Sequence, residues 1–303
     1  MSEAGGRDRI GEAMPSDRPP VEAAVATREA ASPSARRATP PRRAPWTRFV
    51  LPVYSAAVIL YLMVPILVMI LYSFNDSGIR RVSFRWLGFT TEWYRRLFDV
   101  PGLGPAMRTS LIVATVSTVI ATALGTLLAL ALVRHRYGGK SATEFTMFLN
   151  ISTPEIVLGA SLLSLFVSFG VPRGLATILI AHVMFNIAYV AITVRARLSG
   201  LDLTVEEAAR DLGAGPWVTF WKVTFPLIFP GVLAGALLAF ALSIDDFIIT
   251  NFVAGATETF PLWVWSVSRV GIPPQVFVMG TIIFMTGAVI AVANVVAHRR
   301  RPA

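Results

Sequence analysis

The chain contains no cysteine, which removes a disulfide framework and any thiolate-held metal from its chemistry. Histidine is nearly as scarce, with 3 in 303 residues, and His182 alone lies inside an apolar run. Charge is thin as well: 15% of residues are charged against 54% hydrophobic, and the mean hydropathy is +0.63. Soluble domains rarely show this balance; polytopic membrane proteins do. There is no Ser-His-Asp set, metal-ligand cluster or Gly-rich nucleotide loop, so neither an enzyme nor a cofactor or metal is expected. Gly138-Gly139-Lys140-Ser141 matches only the tail of a phosphate loop, because Arg134 stands where its first glycine is needed. The net charge of +9 raises nucleic acid as a partner. Yet the basic residues flank apolar runs and form no basic domain, so membrane topology accounts for them better.

What is present is a series of long apolar runs. Residues 1–45 are rich in Ala, Arg, Pro and Ser, cannot bury enough surface to offset ordering entropy, and read as a disordered cytoplasmic tail. Residues 46–303 read as one transmembrane domain. Spans are expected at Phe49–Phe74, Ser110–Val133, Phe145–Phe169, Leu175–Val194, Gly231–Val253 and Val276–Ala297, each near the ~20 residues a bilayer-crossing helix needs. Pro65 is expected to kink the first. The fold class is therefore all-α integral membrane, with six transmembrane helices. Between the first two spans, Trp86, Trp93, Tyr94 and Phe98 suit a membrane-surface aromatic belt.

Lys and Arg set the orientation. With the tail inside, most of the 27 Lys and Arg residues fall inside, including Arg134, Arg136, Arg195, Arg197 and Arg299. Both termini are then cytoplasmic. The exception is the first outer loop, with Arg80, Arg81, Arg85, Arg95, Arg96 and Arg108.

The long polar interruption of the second half, Leu201 to Gly231, reads as two short helices around a bend. Thr204 and Glu207 form a capping box, starting a helix near Val205. Val205, Ala208, Ala209 and Leu212 make one apolar stripe, and Glu206 and Arg210 are an i, i+4 pair. Gly213 suits the C′ position, Pro216 restarts a helix, and Pro226 ends the run that carries Trp217, Phe220 and Trp221. Glu207-Ala208-Ala209, Gly213 and Pro226 at these spacings resemble the EAA loop of ABC-importer permeases, with Val223 and Phe225 departing from the usual Ile and Leu. The resemblance implies a type I importer permease fold. It also implies that Glu207, Ala208, Ala209, Gly213, Trp217 and Pro226 form a cytoplasmic coupling helix between spans four and five, docking on an ATP-hydrolysing subunit. The partners implied are an ATP-binding subunit dimer, a second permease (sister chain or self) and an extracytoplasmic binding protein, in a bacterial cytoplasmic membrane.

Ionisable residues within apolar spans point to function by default. Asp245 and Asp246 fall roughly 21 Å beyond Gly231 along a helix, and Glu155 roughly 15 Å beyond Phe145. None of the six spans offers a Lys or Arg at comparable depth. Adjacent residues point about 100° apart on a helix, so one of the two aspartates faces a neighbouring helix or caps a broken one. Glu155 either serves the substrate path or satisfies backbone freed by Pro154. The Gly231-xxx-Gly235 stripe, continued by Ala239, suits close helix packing, and Asn186 is interhelical glue or pore lining. The run Ala241–Gly255, ALSIDDFIITNFVAG, with Thr153–Leu162, TPEIVLGASL, is similar to the permeases of spermidine/putrescine importers. That similarity implies polyamine translocation past Asp245, Asp246 and Glu155. The alternatives are a permease for another small solute, or an ion-coupled carrier or channel acting without an ATPase. A carrier with inverted repeats should show paired broken helices, and the sequence shows none; a membrane scaffold leaves Asp245 unexplained.

Overall fold

A computed structural model describes residues 47–78, 81–202 and 204–299; the 1–45 tail lies outside them. By internal contacts the chain forms two units, Met1–Leu62 and Met63–Ala303. Helix α1, Thr47–Tyr72, runs unbroken past Pro52 and Pro65. Its portion in the first unit exposes Phe49, Leu51, Tyr54 and Ile59, the outward apolar surface of a helix made for lipid.

In the second unit, α2 is Leu103–Arg134, α3 Lys140–Ser152, α4 Glu155–Ser168 and α5 Leu175–Leu198. They are followed by α6, Thr204–Asp211, and by α7, which is helical from Pro216 to Asp245. Short helices α8, Ile248–Val253, and α9, Phe260–Ser268, lead to α10, Gln275–Arg299. Among the described residues, four helices are long and apolar enough to cross a membrane: α1, α2, α5 and α7. A fifth span results if α3 and α4 count as one. The apolar part of α10 covers Gln275–Ile290.

The core is a layer of α2, α5 and α7, held close by small residues. A Cβ on Gly125 would lie 2.8 Å from Val190 Cβ, and one on Gly231 2.6 Å from Arg197 Cβ. Gly235 approaches Val190, and Ala239 is fully buried, so the small-residue stripe of α7 is its contact face with α5. Asn186 Nδ2 donates to Ser243 Oγ at 2.7 Å, and Ser243 Oγ lies 3.1 Å from Ser117 Oγ. This buried polar knot ties all three helices, and Asn186 serves as glue.

Three sequence expectations change. The third span is not one helix: α3 and α4 meet at a 110° bend, where Pro154 denies the next turn its N–H donor. Pro226 does not end a helix. Phe220–Thr224 is a π-helical turn, with Phe225 N–H bonded to Phe220 O, and this wider winding carries the chain past Pro226 into the rest of α7. The aromatics of the first loop divide. Trp86 and Phe98 are exposed, whereas Trp93 donates its indole N–H to Asn75 O at 2.9 Å and Tyr94 pairs its hydroxyl with Ser73 at 2.7 Å. Both pack toward Leu97, Leu103 and Trp263, so they are structural and not a belt.

Candidate functional site

Two helix breaks face one another and make a site. α7 ends at Asp245 and the chain resumes helix at Ile248; α3 ends at Ser152 and α4 begins at Glu155. The paired breaks absent from the sequence reading are therefore present: Pro154 marks one of them, whereas Asp245 and Asp246, at the end of α7, carry no strong breaker signal. α4 and α8 pack at Gly159, where a Cβ would come within 2.6 Å of the Phe252 ring, so only glycine allows this approach. Thr177 Oγ1, on α5, donates to Val253 O at 2.8 Å and anchors the far end of α8.

Asp246 is committed to structure. Its carboxylate accepts the backbone N–H of Ile249 at 3.3 Å and of Thr250 at 2.8 Å, and the Thr250 hydroxyl at 2.6 Å. His182 Nε2 lies 3.4 Å from the same carboxylate, with the two side chains 1% and 6% exposed. Asp246, one residue before the N-cap Phe247, supplies the side-chain acceptor for the first turn of α8, and His182, isolated in the sequence, is its buried partner. The two aspartates differ because the helix ends between them: Asp245 is its last residue, and Asp246, with extended backbone, turns its carboxylate onto α8.

Asp245 faces open space. It borders a cavity of about 420 Å³ together with Glu155, Asp246, Asn150, Phe185 and Tyr189. Asp245 and Glu155 are exposed there, and no Lys or Arg is among the described lining residues. The three carboxylates singled out from sequence thus share one cavity. Its arrangement suits a cation: two accessible carboxylates supply charge, and Phe185 and Tyr189, edge to face at 6.5 Å, supply ring faces. Tyr189 and Asn150 were missed in the sequence; the available signal was Tyr189 one helical turn after Phe185 in an apolar run. Asp245 also borders an apolar cavity of about 430 Å³ lined by Phe247, Phe260 and Trp265. A straight helical rise from Phe145 does not reach Glu155, which follows the 110° bend, whereas Gly231 and Asp245 lie on one helix.

The polar loop forms a second candidate site. Helix α6 starts at Thr204, where Asp202 Oδ1 accepts the Thr204 N–H at 3.0 Å, so Asp202 holds the first turn in place of the expected Thr204 capping box. Those contacts with Thr204 lower the Asp202 pKa. The helix closes as expected: Gly213 has φ +84°, its N–H bonds to Arg210 O at 2.8 Å, and Ala214 N–H to Ala209 O at 3.1 Å. This is a Schellman closure. Glu206 does not pair with Arg210; it binds Arg134, at the end of α2, and accepts the Thr224 hydroxyl at 2.7 Å. Glu207, Ala208 and Leu212 are exposed, as are Trp217, Trp221 and Pro226, while Ala209 is half-buried. The apolar stripe points outward, away from this chain's own core.

A helical bundle spanning a membrane, with an acidic cavity between two helix breaks and an outward-facing loop helix, defines a solute-transport subunit. Residues 121–301 match the family of binding-protein-dependent transport system inner membrane components. The spermidine/putrescine transport system permease protein PotC of Escherichia coli (strain K12) is 38% identical over 80% of this chain and 90% of its own length. The putrescine transport system permease protein PotI of the same strain is 40% identical over 74% and 81%. The chain belongs to this inner-membrane permease family. It is a transport permease of the bacterial cytoplasmic membrane and not an enzyme, and the family description puts a binding protein among its partners. The fold agrees. A bacterial ABC transporter for import of the acidic polysaccharide alginate superposes with a TM-score of 0.60 at 18% identity, over 86% of this chain and 100% of that one. The MetNI methionine ABC transporter does so at 0.51 and 17%, over 70% and 100%.

Proposed function

We propose that this chain is the permease of a polyamine importer, moving putrescine, spermidine or a similar organic cation inward past Asp245 and Glu155. The observation that carries the reading is the cavity between the two helix breaks: accessible carboxylates and aromatic faces, with no cationic lining residue among those described. Ammonium groups fit such walls, and an anion does not. The names of PotC and PotI support the same substrate class.

In this reading the chain crosses the membrane six times, with α3 and α4 as one broken span and α10 as the last, and keeps both termini in the cytoplasm. Glu207, Ala208, Ala209, Gly213, Trp217 and Pro226 form the surface that meets the ATP-binding subunit dimer. A second permease, sister or identical, completes the pore, and the binding protein delivers substrate from outside. Closure of the ATPase dimer pushes α6, tilts α5 and α7, and opens the cavity outward; hydrolysis reverses the motion. Asp246 holds the helix break, and Asp245 and Glu155 receive the cation.

The test is uptake of labelled putrescine and spermidine by cells carrying the complete transporter, with Asp245→Asn compared at equal membrane abundance. ATP-dependent uptake that Asp245→Asn removes is the expected result. Absence of uptake of either polyamine by the intact transporter rejects the substrate class. A second arm addresses the loop: Glu207→Lys should abolish ATPase stimulation by loaded binding protein while leaving insertion normal, and unchanged stimulation removes α6 from the mechanism.

A further inference from the structure

We propose that Arg134, Glu206 and Thr224 form a joint that clamps the coupling helix to α2 as well as to α7, so that its motion drives three helices and not only the two joined to it by the chain. The proposal rests on the reading of α6 as the ATPase-contacting helix. Covalent connectivity alone ties α6 to α5 on one side and to α7 on the other. Nothing in the sequence ties it to α2, whose last residue, Arg134, is 72 positions before Glu206.

The geometry supplies that tie. The Arg134 guanidinium binds Glu206 Oε1 and also donates to Thr224 Oγ1 at 3.3 Å. The Thr224 hydroxyl in turn donates to the same Glu206 oxygen at 2.7 Å. One carboxylate oxygen is therefore shared by the end of α2 and the last residue of the π turn that begins the membrane part of α7. The side chains of Arg134 and Glu206 are 25% and 12% exposed, and Thr224 is buried. A charge pair this far from solvent resists screening and holds its geometry, unlike Arg195–Glu144 on the neighbouring helices, at 2.9 Å but 40% and 36% exposed.

The placement gives the joint consequences. Thr224 lies where π winding leaves slack in α7, so a pull on Glu206 acts at a point that can rewind. The helix it acts on ends at Asp245, beside the cation cavity. Arg134 carries the same pull to α2, which is knotted to α7 again at Ser117 and Ser243. Displacement of α6 thus moves α2 and α7 as a pair. Arg134, Glu206 and Thr224 touch no substrate; they are positioning residues.

The test uses the reconstituted complete transporter, measuring basal ATPase, ATPase stimulated by spermidine-loaded binding protein, and uptake per ATP. Glu206→Gln and Arg134→Gln should lower stimulation by about fivefold or more, the size of a modest coupling energy, with basal hydrolysis and complex yield kept. Because the chain has no cysteine, Arg134→Cys with Glu206→Cys can be bridged by a reducible bifunctional methanethiosulfonate. Bridging should restore stimulation and reduction should remove it again in the same sample, a reversibility that a folding defect does not produce. If Glu207→Lys abolishes stimulation while Glu206→Gln and the reduced double-cysteine protein keep it, the joint is wrong and the coupling-loop reading stands. If all of them keep it, both fall.

Discussion

The two ends of α7 solve opposite problems with the same residue types. At its start, Glu206 meets Arg134 and Thr224, and the polar groups satisfy one another. At its finish, Asp246 is taken up by α8 and His182, but Asp245, its neighbour, is left facing a cavity without a cation among the described lining residues. A charge held by partners fixes a position; a charge left accessible invites a ligand. In the proposed function, the contrast separates the part of the helix that is gripped from the part that would meet the solute.

The sharpest way to break the contrast is at Asp246. Asp246→Ala removes the acceptor of two backbone N–H groups and a hydroxyl and leaves His182 only its contact with the Thr250 hydroxyl, so it should cost roughly 3 kcal/mol. A clear fall in the thermal-unfolding midpoint of the purified complex is expected. An unchanged midpoint would mean that Asp246 does not hold the first turn of α8. Asp245→Asn should behave the other way, leaving the midpoint alone while uptake drops by about tenfold or more, as expected for losing a charge contact of ~1–4 kcal/mol in wet surroundings. If Asp245→Asn lowers stability as much as Asp246→Ala, the division between gripped and open acid is lost.

Smaller effects sharpen the same comparison. Glu144→Gln breaks the exposed Arg195 pair and should shift stability by no more than about 0.5 kcal/mol, with transport unaffected. A large shift in the unfolding midpoint would show that exposure is a poor guide to which pairs grip. The slightest effect concerns the entry to α6. Hydrogen bonds from Thr204 depress the folded-state pKa of Asp202 below its ordinary 3.8. Their stabilisation is therefore complete above 3.8 and lost only as pH falls through the lower, folded value. Amide exchange at Thr204 should stay slow through neutral and mildly acidic pH and quicken only in stronger acid, whereas Asp202→Ala should quicken it at neutral pH. Equal exchange in both proteins at neutral pH would deny Asp202 its capping role.

Much of the fold was legible because its causes are local. Apolar length announced the four helices long enough to cross a membrane, and Gly213 announced the loop closure, since a positive φ is cheap only without a Cβ. The small residues of α7 announced the contact face. The three acids were legible because a carboxylate in an apolar run has few reasons to be there. The errors share one origin. Pro226 reads locally as a stop, yet a π turn just ahead of it absorbs the missing N–H; the third span reads as continuous, yet bends at Thr153 and Pro154. Helix winding and bend angle depend on what packs alongside.

Composition and spacing alone settled that this is a polytopic helical membrane protein with a loop helix between two spans and acids in unusual places. Only the tertiary structure decided which aspartate is held and which is open, that His182 and Thr250 hold it, and that Glu206 turns to Arg134 instead of Arg210. The physical reason is range: periodicity, caps and hydropathy act within a few residues. The choice of partner for a buried charge is made by whichever complementary group the fold brings within about 3 Å, however distant it is along the chain.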